Sequence, residues 1–395
     1  MQSRGVHLQY TYQAADQRGS ELHNPLFDLL NAVREHGSIQ NAAKAMGASY
    51  RHVWGALKHW EDVLGEKLVT WAQGQPARLT PFADRLLWAE TRARTRLTPH
   101  IEALRAELER VMSEALDGSQ HVLTVMASHD MALPLLRDVA SQQQRLHIDL
   151  KFTGSLDALR ALAEGRCLVA GFHVARLEGQ AGLFSQALKP LLKPGRHKLI
   201  GCTTRTQGLV VARNNPLRLN LLQDLSKPGV RFLNRQAGSA TRLLTEHLLQ
   251  EEGIAPTLLH GWNDPPEDSH LAVAAAIASG VADVGVGIEA AAQSFGLDFI
   301  PLIEEDYFLV CLKDALDHPA VLKLRDALSG SAWQTQLDTL PGYLPARSGE
   351  VLSLTRALPW WSYRSPRPAV AGEPAEEAAD DAADEAVIDA GRVPE

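Results

Sequence analysis

Apolar residues from Pro25 onward recur three and four positions apart: Leu26, Leu29, Leu30 and Val33 share one helix face, and Gly37 ends that helix. Ser38 caps a second helix over 39–46, Gly47 makes a tight turn, and Ser49 caps a third helix to about residue 64. Its inner face is Val53, Trp54, Leu57 and Trp60. Helix, short glycine turn, helix is the helix-turn-helix pattern. Residues 67–71 then read as a strand, 73–76 as a turn and 77–79 as a return strand, which puts a wing after the third helix. Upstream, residues 6–12 alternate apolar and polar and predict a short strand. Thr80-Pro81 opens a long helix to about residue 116, with Leu86, Leu87, Ala93, Leu97, Ile101, Leu104, Leu108 and Val111 along it and Pro99 as a site for a kink. A helix leaving a small domain cannot bury such a stripe alone, so it predicts pairing with a second copy.

Beyond Asp117-Gly118-Ser119 the period changes. Strands over 122–127, 148–152 and 168–173 alternate with helices over 134–143 and 156–164, the pattern of parallel βαβ units. Strands over 198–202 and 208–212 lead to a second lobe. There strands at 230–233, 258–262 and 282–286 alternate with helices at 241–252, 271–279 and 288–295. Residues 299–312 return as strands, closed by helices around 321–328 and 333–340. Past Gly349, Pro, Ala and acids dominate, and no fold of its own is expected.

At 395 residues, with 45% hydrophobic and 22% charged positions, the chain suits two or three soluble domains. The net charge of −8 is uneven: nine acids against two bases from Pro366 onward hold −7 of it, leaving −1 for the body. Global acidity therefore says nothing against binding DNA. Cys167, Cys202 and Cys311 lie far apart in apolar runs, which argues against a disulfide framework or a structural zinc site and for buried packing thiols. The first twenty residues carry no secretory h-region, and the most apolar stretch, 271–292, is broken by Gly280, Asp283, Gly285 and Gly287. A soluble, cytoplasmic protein without a membrane partner is expected.

Ser49, Tyr50, Arg51 and His52 open the third helix, with Lys58 and His59 further along and no acid from Ser49 to Trp60. Hydroxyl, amide and guanidinium groups there suit base edges and phosphates in a major groove. Ser38 and Gln40 on the preceding helix and Arg78 on the wing complete the DNA-binding set; a solvated helix face is the plainer alternative.

Leu26-Phe27-Asp28-Leu29-Leu30, Gly37-Ser38-Ile39, Ala42-Ala43-Lys44 and Ser49-Tyr50-Arg51-His52-Val53-Trp54 closely resemble the DNA-binding domain of the molybdate-responsive (ModE) regulator family. Leu64-Gly65-Glu66-Lys67-Leu68, Gly74 and Leu79-Thr80-Pro81 continue the match, which spans roughly residues 20–115. LysR-type regulators share the helix-turn-helix, wing and dimer helix. The second half departs from the ModE pattern, because small molybdate domains are not seen. Residues 120–315 instead resemble the periplasmic-binding-protein-like domain fused to such modules, through Ser128-His129-Asp130, Gly154-Ser155-Leu156, the run from Gly165 to His173, the run from Arg231 to Arg242, and the run from Ala282 to Gly287. The resemblance implies a ligand between two lobes, often an oxyanion such as molybdate or tungstate.

The residues agree from below. The stretch from Asn234 to Thr241 is a strand end, a glycine turn and a helix start, where amide N–H groups with the Ser239 and Thr241 hydroxyls can cradle an anion. Ser128 and Ser155 follow first-lobe strands at the carboxyl edge, where ligands of open α/β sheets bind. Arg235 and Arg242 can supply full charge. Ser239 and Ser155 read equally as helix caps, Arg242 as a solvated residue, and His173 as cleft-lining or structural. Such hydroxyl and amide donors favour an unprotonated dianion. Three consecutive residues, Ser128-His129-Asp130, cannot converge as a catalytic triad. No phosphate-binding GxxxxGK loop, HExxH or metal cluster appears, so neither catalysis nor a bound metal is expected.

The expected architecture is multidomain. It comprises a helical winged helix-turn-helix at 1–80, a dimerisation helix at 81–117, a two-lobed α/β domain of type II periplasmic-binding-protein-like form at 118–345, and an acidic tail at 346–395. Lobe 1 takes about 118–203 and 298–345, lobe 2 about 204–297. The resemblance implies a transcriptional regulator, a homodimer or dimer of dimers, bound to operator DNA, with RNA polymerase as a further partner and a small anionic effector as ligand. Formate, another small carboxylate or molybdenum cofactor are alternative effectors. A transporter's solute-binding protein is the reading from another class.

Overall fold

A computed structural model describes residues 25–71, 76–116, 121–177, 182–358 and 361. The chain divides into two compact units at residues 90 and 91.

In the first unit, α1 (Pro25–His36), α2 (Ile39–Ala45) and α3 (Tyr50–Leu64) precede the antiparallel pair β1 (Val69–Thr70) and β2 (Arg78–Leu79). The serines act locally as their positions require: Ser38 Oγ accepts from the Asn41 N–H and Ser49 Oγ from that of His52. Gly47, at φ +64°, turns the chain between α2 and α3. Leu30, Val33, Ala42, Val53, Leu57 and Leu68 are buried together beneath the two helices. The strand expected at 6–12 and the wing turn at 72–75 lie outside the described residues. α4 (Pro81–Leu116) continues through Pro99, and its Leu97, Leu104, Leu108 and Val111 are exposed.

The second unit begins with β3 (His121–Ser128), α5 (Ala132–Gln144), β4 (Leu146–Thr153), α6 (Ser155–Ala163), β5 (Val169–Ala175) and α7 (Gly182–Leu188). β6 (His197–Val211), β7 (Phe232–Leu233), α8 (Ala240–Glu251), α9 (His270–Ala278), β8 (Val284–Ile288) and α10 (Glu289–Ser294) follow. β9 (Asp298–Leu312), α11 (Pro319–Ser329), α12 (Ser331–Leu337), β10 (Tyr343–Pro345), β11 (Val351–Leu352) and α13 (Leu354–Ala357) complete it. The sheet order is β4-β3-β5-β9-β6-β8-β7, with β10 and β11 also paired to β6. β3 lies parallel to β4 and β5, and β7 to β8, as the βαβ pattern requires. No helix among the described residues is long and apolar enough to cross a membrane, and the three cysteines are buried free thiols.

Three expectations change. Residues 198–202 and 208–212 are not separate strands but one 15-residue strand, β6, antiparallel to the equally long β9. The intervening run from Thr203 to Gln207 is polar, yet Thr203, Arg205 and Gln207 are at most 1% exposed. Apart from the Gln207 amide oxygen, their side-chain polar groups find internal partners, so the strand need not break. β9 pairs with β5 at one end, β6 with β8 at the other, and both strands thereby cross from one lobe into the next. The strand expected at 258–262 is a turn: Pro256 opens a short 3-10 helix, and at Gly261, φ +98°, a Cβ would lie 2.1 Å from the Phe232 carbonyl oxygen. Folded chain also extends past residue 345. β11 pairs with β6, and Leu352, Leu354, Leu358 and Trp361 are buried in the core beside β5 and α6. These residues are too few to form a core, but they dock on one already built.

A chain cut after Gly349 loses four buried apolar side chains and is expected to unfold with at least ~5 kcal/mol less stability. Denaturant titration of the truncated and full chains checks this; equal midpoints would mean that the docked segment adds nothing.

Candidate functional site

The two lobes meet at a pocket lined by Ser128, His129, Thr153, Gly154, Ser155, His173, Arg205, Arg235, Gln236, Ser239, Ala240, Thr241, Asp268 and His270. Each position follows from the topology. Ser128 and Thr153 end parallel strands β3 and β4, and Arg235 and Gln236 follow β7. α6, α8 and α9 all begin at pocket residues, so three positive helix ends converge there. Gly154 packs closely on the turn before α8, since a Cβ there would lie 3.2 Å from the Gly238 carbonyl oxygen. The cavity is small, about 20 Å³.

Beneath the pocket lies a buried ionic network. Arg205 is the cross-strand partner of Glu305 where β6 and β9 pass between lobes. Its Nε donates to Glu305 and its Nη1 to Asp130. Tyr343 donates to Asp130 (2.9 Å), and Arg205 Nη2 donates to His270 Nε2 (3.2 Å). Burial alone would raise the Asp130 pKa, but Arg205 and His173 outweigh it and hold the carboxyl well below the usual range. Gln207 Nε2 reaches Thr241 Oγ1 (2.9 Å) and both Glu305 oxygens (3.1 Å). The carboxylate fixes that amide orientation, because the amide oxygen would be repelled.

Arg235 has a different environment. Its Nε and Nη2 donate to the main-chain oxygens of Glu267 (3.2 Å) and Asp268 (2.7 Å), and no carboxylate pairs with it among the described residues. Burial and the nearby charge of Arg205 pull its pKa down to about 10. Arg235 Nη1 and Ser155 Oγ are buried donors without a partner among the described residues. His270 Nδ1 is a third, since Nε2 accepts from Arg205 and the ring is neutral under burial and the charges of Arg235 and Arg205. His129 is likewise held neutral, its pKa lowered to about 4 by burial and Arg235. Asp268 Oδ1 is an unpartnered acceptor, so the site is not made of donors alone.

Of the six effector residues expected, Ser128, Ser155, Arg235, Ser239 and Thr241 line the pocket and Arg242 does not. Arg242 bonds Glu246 (2.6 Å) and lies over the Trp262 ring. Ser239 is a helix cap: it accepts from Arg242 N–H and donates to the Gln236 carbonyl, so its hydrogen is already engaged. Arg205, Gln207 and Glu305 lie outside the expected set; a charged residue amid a Thr-rich strand is the signal that points to them.

In the first unit Gln40, Ser49, Tyr50, Arg51, His52 and Arg78 are exposed, and Ser38 is partly so. Lys58 is not a free cation. It bonds the buried Glu61 (3.0 Å) and lies over Trp54. Burial raises the Glu61 pKa, but Leu68 N–H, Lys58 and Lys67 outweigh it and hold the group near pKa about 2. Trp71, half exposed, packs edge-on against Trp54 and Tyr50 stacks on it, adding an aromatic patch beside the recognition helix.

Residues 26–84 match the family described as bacterial regulatory helix-turn-helix protein, lysR family, and residues 136–329 match the PBP superfamily domain. The chain thus carries a helix-turn-helix domain of the lysR family and a domain of the PBP superfamily. The matched helix-turn-helix family is thus the lysR one, and the ModE resemblance is not what carries the assignment. The chain is 29% identical over 248 residues to "Uncharacterized protein YvgK" of Bacillus subtilis (strain 168), covering 62% of this chain and 77% of that protein. It is 35% identical over 112 residues to "Uncharacterized protein in ferredoxin 2Fe-2S gene 5'region" of Clostridium pasteurianum, covering 28% of this chain and 97% of that one. Among solved structures, a hydrogen peroxide-bound mutant of the OxyR protein of Corynebacterium glutamicum is similar at 18% identity and TM-score 0.41, over 80% of this chain and 94% of that one.

Proposed function

We propose that the regulator binds operator DNA as a dimer through α3 and the wing, and that a compact oxyanion, molybdate or tungstate, sets that binding from the interlobe pocket. The observation that carries the effector reading is Arg235: a buried guanidinium with no carboxylate partner among the described residues, its Nη1 unpartnered in the same pocket as the unpartnered Ser155 Oγ. Three helix N-termini add positive potential at the same place. The small cavity suits a tetrahedral ion better than the far larger molybdenum cofactor. The exposed Leu97, Leu104, Leu108 and Val111 of α4 support pairing with a second copy.

Glu267 supports a route from effector to α4. Its main chain bonds Arg235 and Gln236, while its carboxylate, 4% exposed as a residue, takes both Arg96 Nε and Nη2. A change in the Arg235 loop on anion binding is thus felt directly by the helix that continues into the helix-turn-helix domain.

Calorimetric titration with molybdate, tungstate, sulfate, phosphate and formate tests the effector. Molybdate or tungstate is expected to bind tightest, and Arg235→Ala to weaken it by at least ~2 kcal/mol, roughly 30-fold. Heat with formate alone would overturn the oxyanion reading. Arg51→Ala should weaken operator binding by ~1–3 kcal/mol, or lower its salt slope if the residue holds a phosphate; a folded variant matching wild type across salt concentrations would remove Arg51 from the interface. Arg96→Ala should keep anion affinity within about threefold while losing most of the anion-dependent change in operator affinity, since only the link to α4 is cut. An unchanged response would place the coupling elsewhere.

A further inference from the structure

The pocket offers two hydroxyls whose hydrogens are already oriented, and in opposite senses. Thr241 Oγ1 accepts from Gln207, so its own hydrogen is available to a ligand. Ser128 is the reverse. Its Oγ lies 2.8 Å from His173 Nδ1, and His173 Nε2 lies 3.4 Å from Asp130 Oδ2. Asp130 is a carboxylate held by Arg205, Tyr343 and the Ala132 N–H. The ring nitrogen facing that carboxylate must carry the proton, so Nε2 is the donor and Nδ1 a bare lone pair. Ser128 therefore gives its only hydrogen to His173 and turns lone pairs toward the pocket. In that state it repels an anion.

Ser128 becomes a donor to the ligand only if something else donates to its oxygen or if His173 Nδ1 is left bare against it, buried, at a cost comparable to a lost hydrogen bond. A second proton on His173 resolves the conflict: Nδ1–H donates to Ser128 Oγ, and Ser128 O–H donates to the anion. Resting on the oxyanion reading above, we propose that His173 is a positioning residue that takes up one proton from solvent at Nδ1 when the anion binds. The balance is one proton, one neutral imidazole and the anion on one side, and an imidazolium–anion pair bridged by Ser128 on the other.

The surroundings suit a ring that is neutral without the anion and charged with it. From β3 and the turn after it come Ser128, His129 and Asp130; from β6 Arg205; from β9 Glu305 and, edge-on at 4.2 Å, Tyr307; from α9 His270. Burial and Arg205 lower the His173 pKa, against the raising effect of Glu305 and Asp130. An anion bridged by Ser128 adds a further negative charge on the raising side. The sign follows: binding raises the pKa of His173, so affinity is greater at low pH and falls as pH rises, by up to about tenfold per pH unit while a full proton is taken up.

The experiment is calorimetry with molybdate and with tungstate, both unprotonated at neutral pH, between pH 6.5 and 8.5 in buffers of different ionisation enthalpy (about 25 °C). Wild type should take up close to one proton per anion. His173→Asn places an amide N–H where the protonated Nδ1 would be, and should bind with no proton uptake and an affinity flat in pH. Ser128→Ala removes the bridge with little demand on folding, and should bind more weakly and also without uptake. A merely structural role for His173 would lower affinity without moving the proton count. Uptake that persists in both variants would put the proton on the anion or on another group and overturn the proposal. Binding by wild type without uptake would overturn it while leaving the oxyanion reading intact. No heat from either anion at any pH would take down both.

Discussion

Arg205 is the interaction on which the effector domain turns. Moving one guanidinium and two carboxylates out of water costs several kcal/mol per ion, and their attraction offsets that only with near-complete hydrogen bonding. The arrangement meets the condition: Asp130 and Glu305 flank the guanidinium, Tyr343 completes Asp130, and Gln207 completes Glu305. These partners come from β9, β10, β6 and the turn after β3, so the network joins the strands that build lobe 1 to those that cross into lobe 2. The crossing lies where Arg205 faces Glu305 in register, just before the irregularity between Gln207 and Gly208. The hinge of the lobes and the floor of the pocket are therefore one object.

That identity determines how the pocket walls are polarised. Glu305 fixes the Gln207 amide, which leaves the Thr241 hydroxyl to donate; on the tautomer inferred above, with the proton on the His173 nitrogen that faces Asp130, Ser128 is left as an acceptor. The two hydroxyls thus present opposite faces to a ligand, each determined by a different carboxylate, Glu305 on β9 and Asp130 in the turn after β3. Arg235 lies outside this balance, since main-chain oxygens satisfy part of its hydrogen bonding but none of its charge.

Much of this is legible in the sequence, for physical reasons that can be named. Ser38 and Ser49 announce helix starts because a short hydroxyl before an apolar period has few other uses, and both cap their helices. Alternating apolar runs mark β3, β4, β5 and the helices between them, because local periodicity is set by which face is buried. The ends of parallel strands locate Ser128 and Ser155. What escapes is non-local. Arg205 and Glu305 are 100 residues apart, and a polar stretch in a strand reads as a break until its partners are known. Arg242 and Lys58 look like ligands because a charge on a helix is visible in sequence, whereas Glu246 and Glu61, which occupy them, become visible as partners only in three dimensions. Ser128-His129-Asp130 cannot converge as neighbours, yet Ser128 and Asp130 do converge on His173 from the next strand but one in sequence.

Glu267 ties the pocket loop to α4 by two kinds of bond. Its main chain pairs with that of Asn234 and Gln236 and accepts from Arg235, so its position is fixed by the loop that presents Arg235. Its carboxylate, buried under that constraint, has its charge partner in Arg96. Losing the arginine would leave a buried charge uncompensated, which in general costs several kcal/mol. The loop cannot move freely without either dragging Arg96 or incurring that penalty. On the function proposed above, a ligand that binds Arg235 better in one loop position than another biases α4 by at most that difference, as linkage requires.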